Sequence, residues 1–192
     1  MSWYKKAKED PEYQKMKDWF EKRTNKHIES VQKYCKKIAD YDDRFKGLVE
    51  QAKDHDQTKF KDPEVDPYVY TTWKYKCKDD GTEFECPKEM EDKMTEATEH
   101  HIKNNSHHPE FHCDKETNLI NENDRDTPPE EMIDATKMPD LDLAEMAGDW
   151  MAVSEERGNS PKSWADKNVN VRWKFNDNQK DLIYELIKEV WK

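Results

Sequence analysis

Apolar and aromatic residues recur at helical spacing along most of this chain. In the stretch "KHIESVQKYCKKIA", His27, Val31, Tyr34 and Ile38 fall at i, i+4, i+7 and i+11. That spacing puts the four side chains on one face of an α-helix. The same periodicity returns in later segments, so we predict a mainly α-helical fold.

Caps, prolines and glycines set the predicted helix ends. Thr24 or Asn25 caps the helix of the first stripe, Pro87 begins another helix, and Gly158 ends a third. The turn signal Asp80-Gly81 within "CKDDGTEFEC" predicts one small β-hairpin. The predicted helices cover about residues 10–22, 24–40, 42–56, 87–103, 128–138, 140–157 and 177–192, with a long loop over 104–129.

The composition of the chain limits what kind of protein it can be and which partners it can bind. The formal net charge is −11, and an acidic surface repels phosphate backbones, so we expect no long nucleic-acid partner. Aromatic residues make up 11% of the chain, enough for a compact core, and we predict a single domain over residues 1–192. No apolar run approaches the about 20 residues of a membrane span. The sequence has no apolar signal-peptide core and too few cysteines for a disulfide framework, so we expect a cytoplasmic protein. The oligomeric state stays open, and a homo-oligomer is one possibility.

Three histidines continue the apolar stripes of three different predicted helices. They are His27, His55, which is followed by Asp56, and His101. Buried imidazoles and carboxylates without partners are costly, whereas a shared cation satisfies several of them at once. Imidazole nitrogens and carboxylate oxygens suit Fe, Mn, Zn, Ni or Co. We therefore predict a site for one or two divalent transition-metal ions.

A loop and a late helix offer the remaining ligands. Either His107 or His108 in "SHHPEFH" can complete a site with His101, and we prefer His107. Asp149 lies among apolar residues in "EMAGDWMAV" and is the predicted late carboxylate. Glu145, one helical turn earlier, is the alternative to Asp149.

The order of these residues resembles the HD-domain superfamily of metal-dependent phosphohydrolases. Its H…HD…D pattern matches His27, His55-Asp56 and Asp149, and "HDQTK" is similar to the start of its central motif. "HHPE" is similar to the His-His-Glu of the cyclic-dinucleotide phosphodiesterases, but their Gly-Tyr-Pro motif is absent and the spacing from His101 to His107 is shorter. The resemblance covers about residues 24–157 and implies an HD-domain-like helical bundle. The chain is also similar to uncharacterised HD-like proteins of bacteria and their viruses.

The resemblance implies a role for each matching residue. One metal would be held by His27, His55, Asp56 and Asp149, and a second by Asp56 as a bridge, His101, and His107 or His108. The implied activity is hydrolysis of a nucleotide or another small phosphate ester by metal-activated water. Lys59, one turn past Asp56, would contact a phosphate oxygen, and Glu110 would orient a ligand histidine.

Other classes of protein remain open at this level. Inositol and phosphonate oxygenases with an HD-like fold use a di-iron site whose H…HD…H…H…D ligand set also matches this sequence. A non-catalytic HD-like binding protein is a third interpretation. Cys77, Cys86 and Cys113 could bind zinc together with His112, although a plain hairpin suits the spacing of the first two better.

Overall fold

The fold is built almost entirely from helices, as predicted. The computed structural model describes residues 10–114 and 129–191. The helices of these residues are α1 (Pro11–Tyr41), α2 (Leu48–Gln51), α3 (Val65–Asp79), α4 (Lys88–Asn104), α5 (Asp140–Arg157), α6 (Pro161–Asn168) and α7 (Asp177–Val190). Short 3-10 turns lie at Asp43–Phe45, Gln57–Phe60 and Pro109–His112. None of the helices in the described part of the chain is both long and apolar enough to cross a membrane.

A small β element is present, but it differs in place and kind from the predicted hairpin. Strands β1 (Ile133–Asp134) and β2 (Trp173–Lys174) pair in parallel, with Ile133 opposite Trp173. Residues 82–87 form neither strand nor helix. Gly81 instead follows the C-terminal end of α3 with φ +71°, a backbone conformation that suits a helix end. The helix predicted over 128–138 is wrong for its described residues, because β1 lies there.

The described residues form two compact units, each made from separate segments of the chain. Unit 1 comprises residues 10–26 and 57–101, and unit 2 comprises residues 27–56, 102–114 and 129–191. Each unit has a hydrophobic core of its own. The prediction of one domain over the whole chain stays a prediction.

Unit 1 is centred on the aromatic faces of α1 and α3. Its buried core contains Tyr13, Met16, Phe20, Val69, Tyr70, Trp73, Cys86 and Met90. The first three are spaced i, i+3 and i+7 along α1, as expected for one helical face. Inside this core the hydroxyl of Tyr13 donates a hydrogen bond to the carboxyl group of Asp66, which is also buried.

In unit 2, α1 and α5 approach each other closely. Val31, Cys35 and Ile38 of α1 belong to the same buried cluster as Leu143 and Met146 of α5. The approach depends on Gly148, because a Cβ atom there would lie 3.0 Å from Cys35 Sγ. The small residue therefore sets the spacing of the two helices one position before Asp149.

The N-terminal helix is longer, and the segment around His55 less helical, than predicted. Residues 12–41 contain no proline or glycine, so nothing interrupts α1 at Thr24 and one helix replaces the two expected. After α2 ends at Gln51, the chain turns, and His55 and Asp56 lie in that turn. The prediction that a helical stripe carries these two residues is wrong. Both are nevertheless buried.

Candidate metal centre

Unit 2 brings five of the predicted ligands together. They are His27 from α1, His55 and Asp56 from the turn after α2, His107 from the turn after α4, and Asp149 from α5. Asp56 lies between the three imidazoles. His27 Nε2 and His55 Nε2 lie 3.8 and 3.7 Å from Asp56 Oδ2, and His107 Nε2 lies 3.8 Å from Asp56 Oδ1. His27 Nε2 is also 3.1 Å from Asp149 Oδ1.

These separations are compatible with ligands around a transition-metal ion. Bonds of about 2.1 Å from metal to nitrogen or oxygen place neighbouring ligand atoms about 3.0 Å apart in an octahedral site and about 3.4 Å apart in a tetrahedral one. The distances of 3.1–3.8 Å around Asp56 and Asp149 are close to these values. Ligand atoms of His27, His55 and Asp149 all lie within 4.8 Å of one another. The nitrogen and oxygen donors fit Fe, Mn, Zn, Ni or Co.

Asp56 occupies an unusual backbone conformation at the middle of this cluster. Its φ angle is +59°, in the left-handed region, which costs about 1 kcal/mol or more for a residue other than glycine. Asp56 is 1% exposed. Its two carboxylate oxygens face different histidines, Oδ2 towards His27 and His55 and Oδ1 towards His107. A strained, buried carboxylate divided in this way is typical of a functional site.

Two glutamates of α5 lie against the other nitrogen of each imidazole. Glu156 Oε1 is 3.1 Å from His27 Nδ1, and Glu145 Oε1 is 2.8 Å from His55 Nδ1. A carboxylate only accepts hydrogen bonds, so Nδ1 donates in each pair and Nε2 remains directed towards Asp56. Metal-binding histidines in proteins are usually oriented by such a carboxylate. The arrangement therefore fits a metal site.

Without a cation, protonation of His27 supplies the positive charge of the cluster. Burial by itself lowers the pKa of His27, but its hydrogen bonds with Asp149 and Glu156 outweigh burial and raise that pKa to about 9. Burial alone raises the pKa of Asp149, yet the neighbouring His27 holds it well below the usual range. A metal ion at Nε2 of His27 would take the place of this proton.

The turn that carries His107 is fixed to unit 2 by polar contacts. Ser106 Oγ donates to Asp142 Oδ1 at 2.9 Å, and His112 Nε2 donates to the carbonyl oxygen of Ser106 at 2.9 Å. Glu110 is buried, and its Oε1 accepts a hydrogen bond from Trp173 Nε1 at 2.9 Å. The predicted role of Glu110, orienting a ligand histidine, stays a prediction. His108 is also buried, with its ring centroid 4.3 Å from that of His107.

Two predicted site residues belong to unit 1. His101 Nδ1 lies 2.9 Å from Oε2 of Glu64, which is fully buried, so a carboxylate faces Nδ1 of this imidazole as well. The next residue in the chain, His100, contacts the other oxygen of the same carboxylate, with its Nδ1 2.7 Å from Glu64 Oε1. Lys59 Nζ lies 5.5 Å from the centroid of the Tyr68 ring. The roles of His101 as a metal ligand and of Lys59 as a contact of the substrate phosphate stay predictions.

Sequence reasoning missed the glutamates that orient the histidines. Glu145 was considered only as an alternative ligand, and Glu156 was not considered. The usable signal is their position on α5, because Glu145, Asp149 and Glu156 fall at i, i+4 and i+11. They therefore share one face of a helix whose other inward residues are apolar.

The cysteines take no part in this arrangement. The described residues include Cys35, Cys77, Cys86 and Cys113, and none of these is in a disulfide bond. Among the described residues, the side-chain groups close enough to hold an ion together contain histidine, aspartate and glutamate but no cysteine. The alternative of a cysteine zinc site thus gains no support.

Comparison with known proteins assigns a family without an activity. A family model described as "Family of unknown function (DUF5662)" matches residues 16–189. The chain belongs to this family. No curated protein and no solved structure matches it significantly. The match spans every residue of the centre in unit 2, and the resemblance to the HD superfamily stays a prediction from the motifs.

Proposed function

We propose that this protein is a metal-dependent phosphohydrolase acting on a nucleotide or another small phosphate ester. The observation that supports this most is the arrangement of three imidazole Nε2 atoms around the two oxygens of Asp56, with glutamates at the opposite nitrogens. The motif order His27, His55-Asp56, Asp149, which resembles that of HD phosphohydrolases, supports the reaction class.

The ligand atoms suggest two positions for divalent cations. The first position would be held by His27, His55, Asp149 and Oδ2 of Asp56, and the second by Oδ1 of Asp56 and His107. His101 and His108 are the predicted further ligands of the second position. Bound ions of this kind lower the pKa of a coordinated water and neutralise charge on phosphoryl oxygens.

The protein's own groups would make activity depend strictly on metal. Four carboxylates, of Asp56, Asp149, Glu145 and Glu156, lie beside the imidazoles. Such a cluster attracts cations and, without them, disfavours a phosphate anion. Burial keeps the ligands ordered and limits competing water. We propose Lys59 as a further contact of the substrate phosphate.

A phosphate-release assay on metal-free and reconstituted protein tests this function. Metal-free protein would be loaded separately with Mn, Ni, Zn, Co or anaerobic Fe, then offered nucleoside mono-, di- and triphosphates and aryl phosphates. We expect hydrolysis only after loading, and at least a 100-fold loss in Asp149→Asn. The matched control is Asp54→Asn, because Asp54 is an exposed acid two residues before Asp56.

The same protein samples separate the competing functions. Oxygen consumption by the iron form, with no phosphate released, would replace the hydrolase by an oxygenase. Metal binding without turnover on either panel would favour a binding protein. For Lys59, we expect Lys59→Met to raise KM, whereas Lys53→Met, at an exposed residue paired with Glu50, would leave KM unchanged.

A further inference from the structure

Glu145 contacts two histidines that belong to different positions of the proposed centre. Its Oε1 lies 2.8 Å from His55 Nδ1 and 3.6 Å from His107 Nδ1. The two imidazole rings are close to each other, with centroids 4.1 Å apart. Glu145 is 3% exposed. One buried carboxylate oxygen thus accepts a hydrogen bond from His55 and lies within ion-pair distance of His107.

The geometry favours a positioning role for Glu145 over direct metal binding at the proposed positions. His55 Nε2 and His107 Nε2 both lie near Asp56, at 3.7 and 3.8 Å. Nδ1 and Nε2 point to different sides of an imidazole ring, so a carboxylate at Nδ1 does not reach an ion bound at Nε2. Glu145 acts through the two rings: its hydrogen bond fixes the tautomer and orientation of His55, and its nearby negative charge favours the tautomer of His107 that carries a proton on Nδ1.

A hydrogen-bond network holds Glu145 in place. Gln51 Nε2 donates to Glu145 Oε2 at 2.7 Å and to Asp142 Oδ1 at 2.7 Å. Asp142 Oδ1 also accepts from Ser106 Oγ at 2.9 Å, next to His107 in the chain. The side chain of Gln51 therefore links the glutamate to the turn that carries one of its two histidines.

We propose that Glu145 couples the two metal positions, because it orients one ligand of each. This inference rests on the metal centre of the proposed function but not on its reaction. Glu156 provides the contrast, since its Oε1 lies 3.1 Å from Nδ1 of His27, a ligand of the first position. Loss of Glu145 should weaken both positions, and loss of Glu156 only the first.

Cobalt(II) titration of metal-free protein, followed by its visible absorption, tests the coupling. The His107→Ala variant lacks a ligand of the second position, so its cobalt binding reports the first position. The Asp149→Ala variant lacks a ligand of the first position, so its cobalt binding reports the second. We expect Glu145→Gln to weaken cobalt binding about 10- to 100-fold in both backgrounds with the number of bound ions unchanged. Glu156→Gln should weaken it only in the His107→Ala background. Glu155→Gln removes an exposed carboxylate of the same helix, paired with Lys33, and should change neither.

Several results would overturn the coupling. One is that Glu145→Gln weakens cobalt binding in only one of the two backgrounds, or in neither. Another is that Glu145→Gln removes one bound ion altogether. A wild-type protein that binds only a single ion would also overturn it. If Glu145→Gln does not fold, Gln51→Ala removes the donor that Glu145 shares with Asp142 but keeps the carboxylate itself, and it should weaken both positions more mildly. Equal affinity of Gln51→Ala and wild type would then contradict the inference. A wild type that binds cobalt but hydrolyses no phosphate would refute the proposed reaction and leave the coupling standing.

Discussion

The substitution Gly148→Ala tests whether close packing of α1 and α5 positions the centre. An added Cβ would lie 3.0 Å from Cys35 Sγ, 3.6 Å from Cys35 N and 3.8 Å from Ile38 Cδ1. Optimal contacts between nonbonded heavy atoms of this size begin near about 3.5 Å. The sulfur contact is therefore too short by about half an ångström, and the other two are ordinary.

Two opposing effects determine how far Gly148→Ala changes the free energy of unfolding. Overpacking a buried site costs about 1–3 kcal/mol, while replacing glycine by alanine inside a helix gains about 1 kcal/mol. We expect Gly148→Ala to lower the free energy of unfolding by about 1 kcal/mol in total. The Cys35→Ala change removes the sulfur atom that the new Cβ would contact. The double variant should therefore regain the stability that this contact costs, which gives a coupling energy of about 1–3 kcal/mol between the two substitutions.

Urea unfolding of the four metal-free proteins of this cycle measures the coupling energy. Helix propensity and the cavity at residue 35 cancel in the cycle, which leaves the contact between the two side chains. Separation of the helices should also move Asp149 away from His27, so Gly148→Ala should bind cobalt more weakly than wild type. A Gly148→Ala protein that is about 1 kcal/mol more stable than wild type, with a coupling energy near zero, would refute this account of the packing.

Two further substitutions test local features of each unit. Asp56 has a φ angle of +59°, and only glycine adopts this conformation without strain. Metal-free Asp56→Ala should therefore be about 1 kcal/mol less stable to urea than metal-free Asp56→Gly. Equal stability of the two variants would contradict the strained backbone. Burial raises the pKa of Asp66 to about 6, so its protonated form stabilises the folded state below about pH 4, and that stabilisation is lost as the pH rises through 6. Between pH 4 and 7 the unfolding free energy of wild type should fall by about 2–3 kcal/mol relative to Asp66→Asn, whereas parallel pH profiles of the two proteins would exclude this effect.

Periodicity predicted the helices well and their interruptions poorly. The helix predicted over residues 140–157 matches α5, and Gly158 ends it with φ +65° as a helix-terminating glycine does. Thr24 is a good capping residue in isolation, yet it is buried inside α1, because packing in both directions along the chain favours continuing the helix. Asp80-Gly81 is equally suited to a hairpin and to a helix end, and local signals do not distinguish them.

The candidate site followed from residue type more than from local structure. His27 was chosen for its place on a helical stripe and Asp149 for its apolar neighbours in the sequence, and both lie in the cluster. His55 and Asp56 were assigned to a helix that does not extend to them, and a turn with a left-handed residue brings them inward instead. The orienting glutamates require knowledge of which segments pack together, since Glu145 lies 90 residues from His55 in sequence and Glu156 lies 129 residues from His27.

Metal content tests the central claim most directly. Elemental analysis would be made on wild type, Asp56→Ala and the exposed control Asp54→Ala, as purified and after reconstitution with Fe, Mn, Zn, Ni or Co. The account predicts one or two equivalents of a transition metal in wild type and in Asp54→Ala, with loss of that metal in Asp56→Ala. No metal in wild type after reconstitution, or undiminished metal in Asp56→Ala, would contradict it.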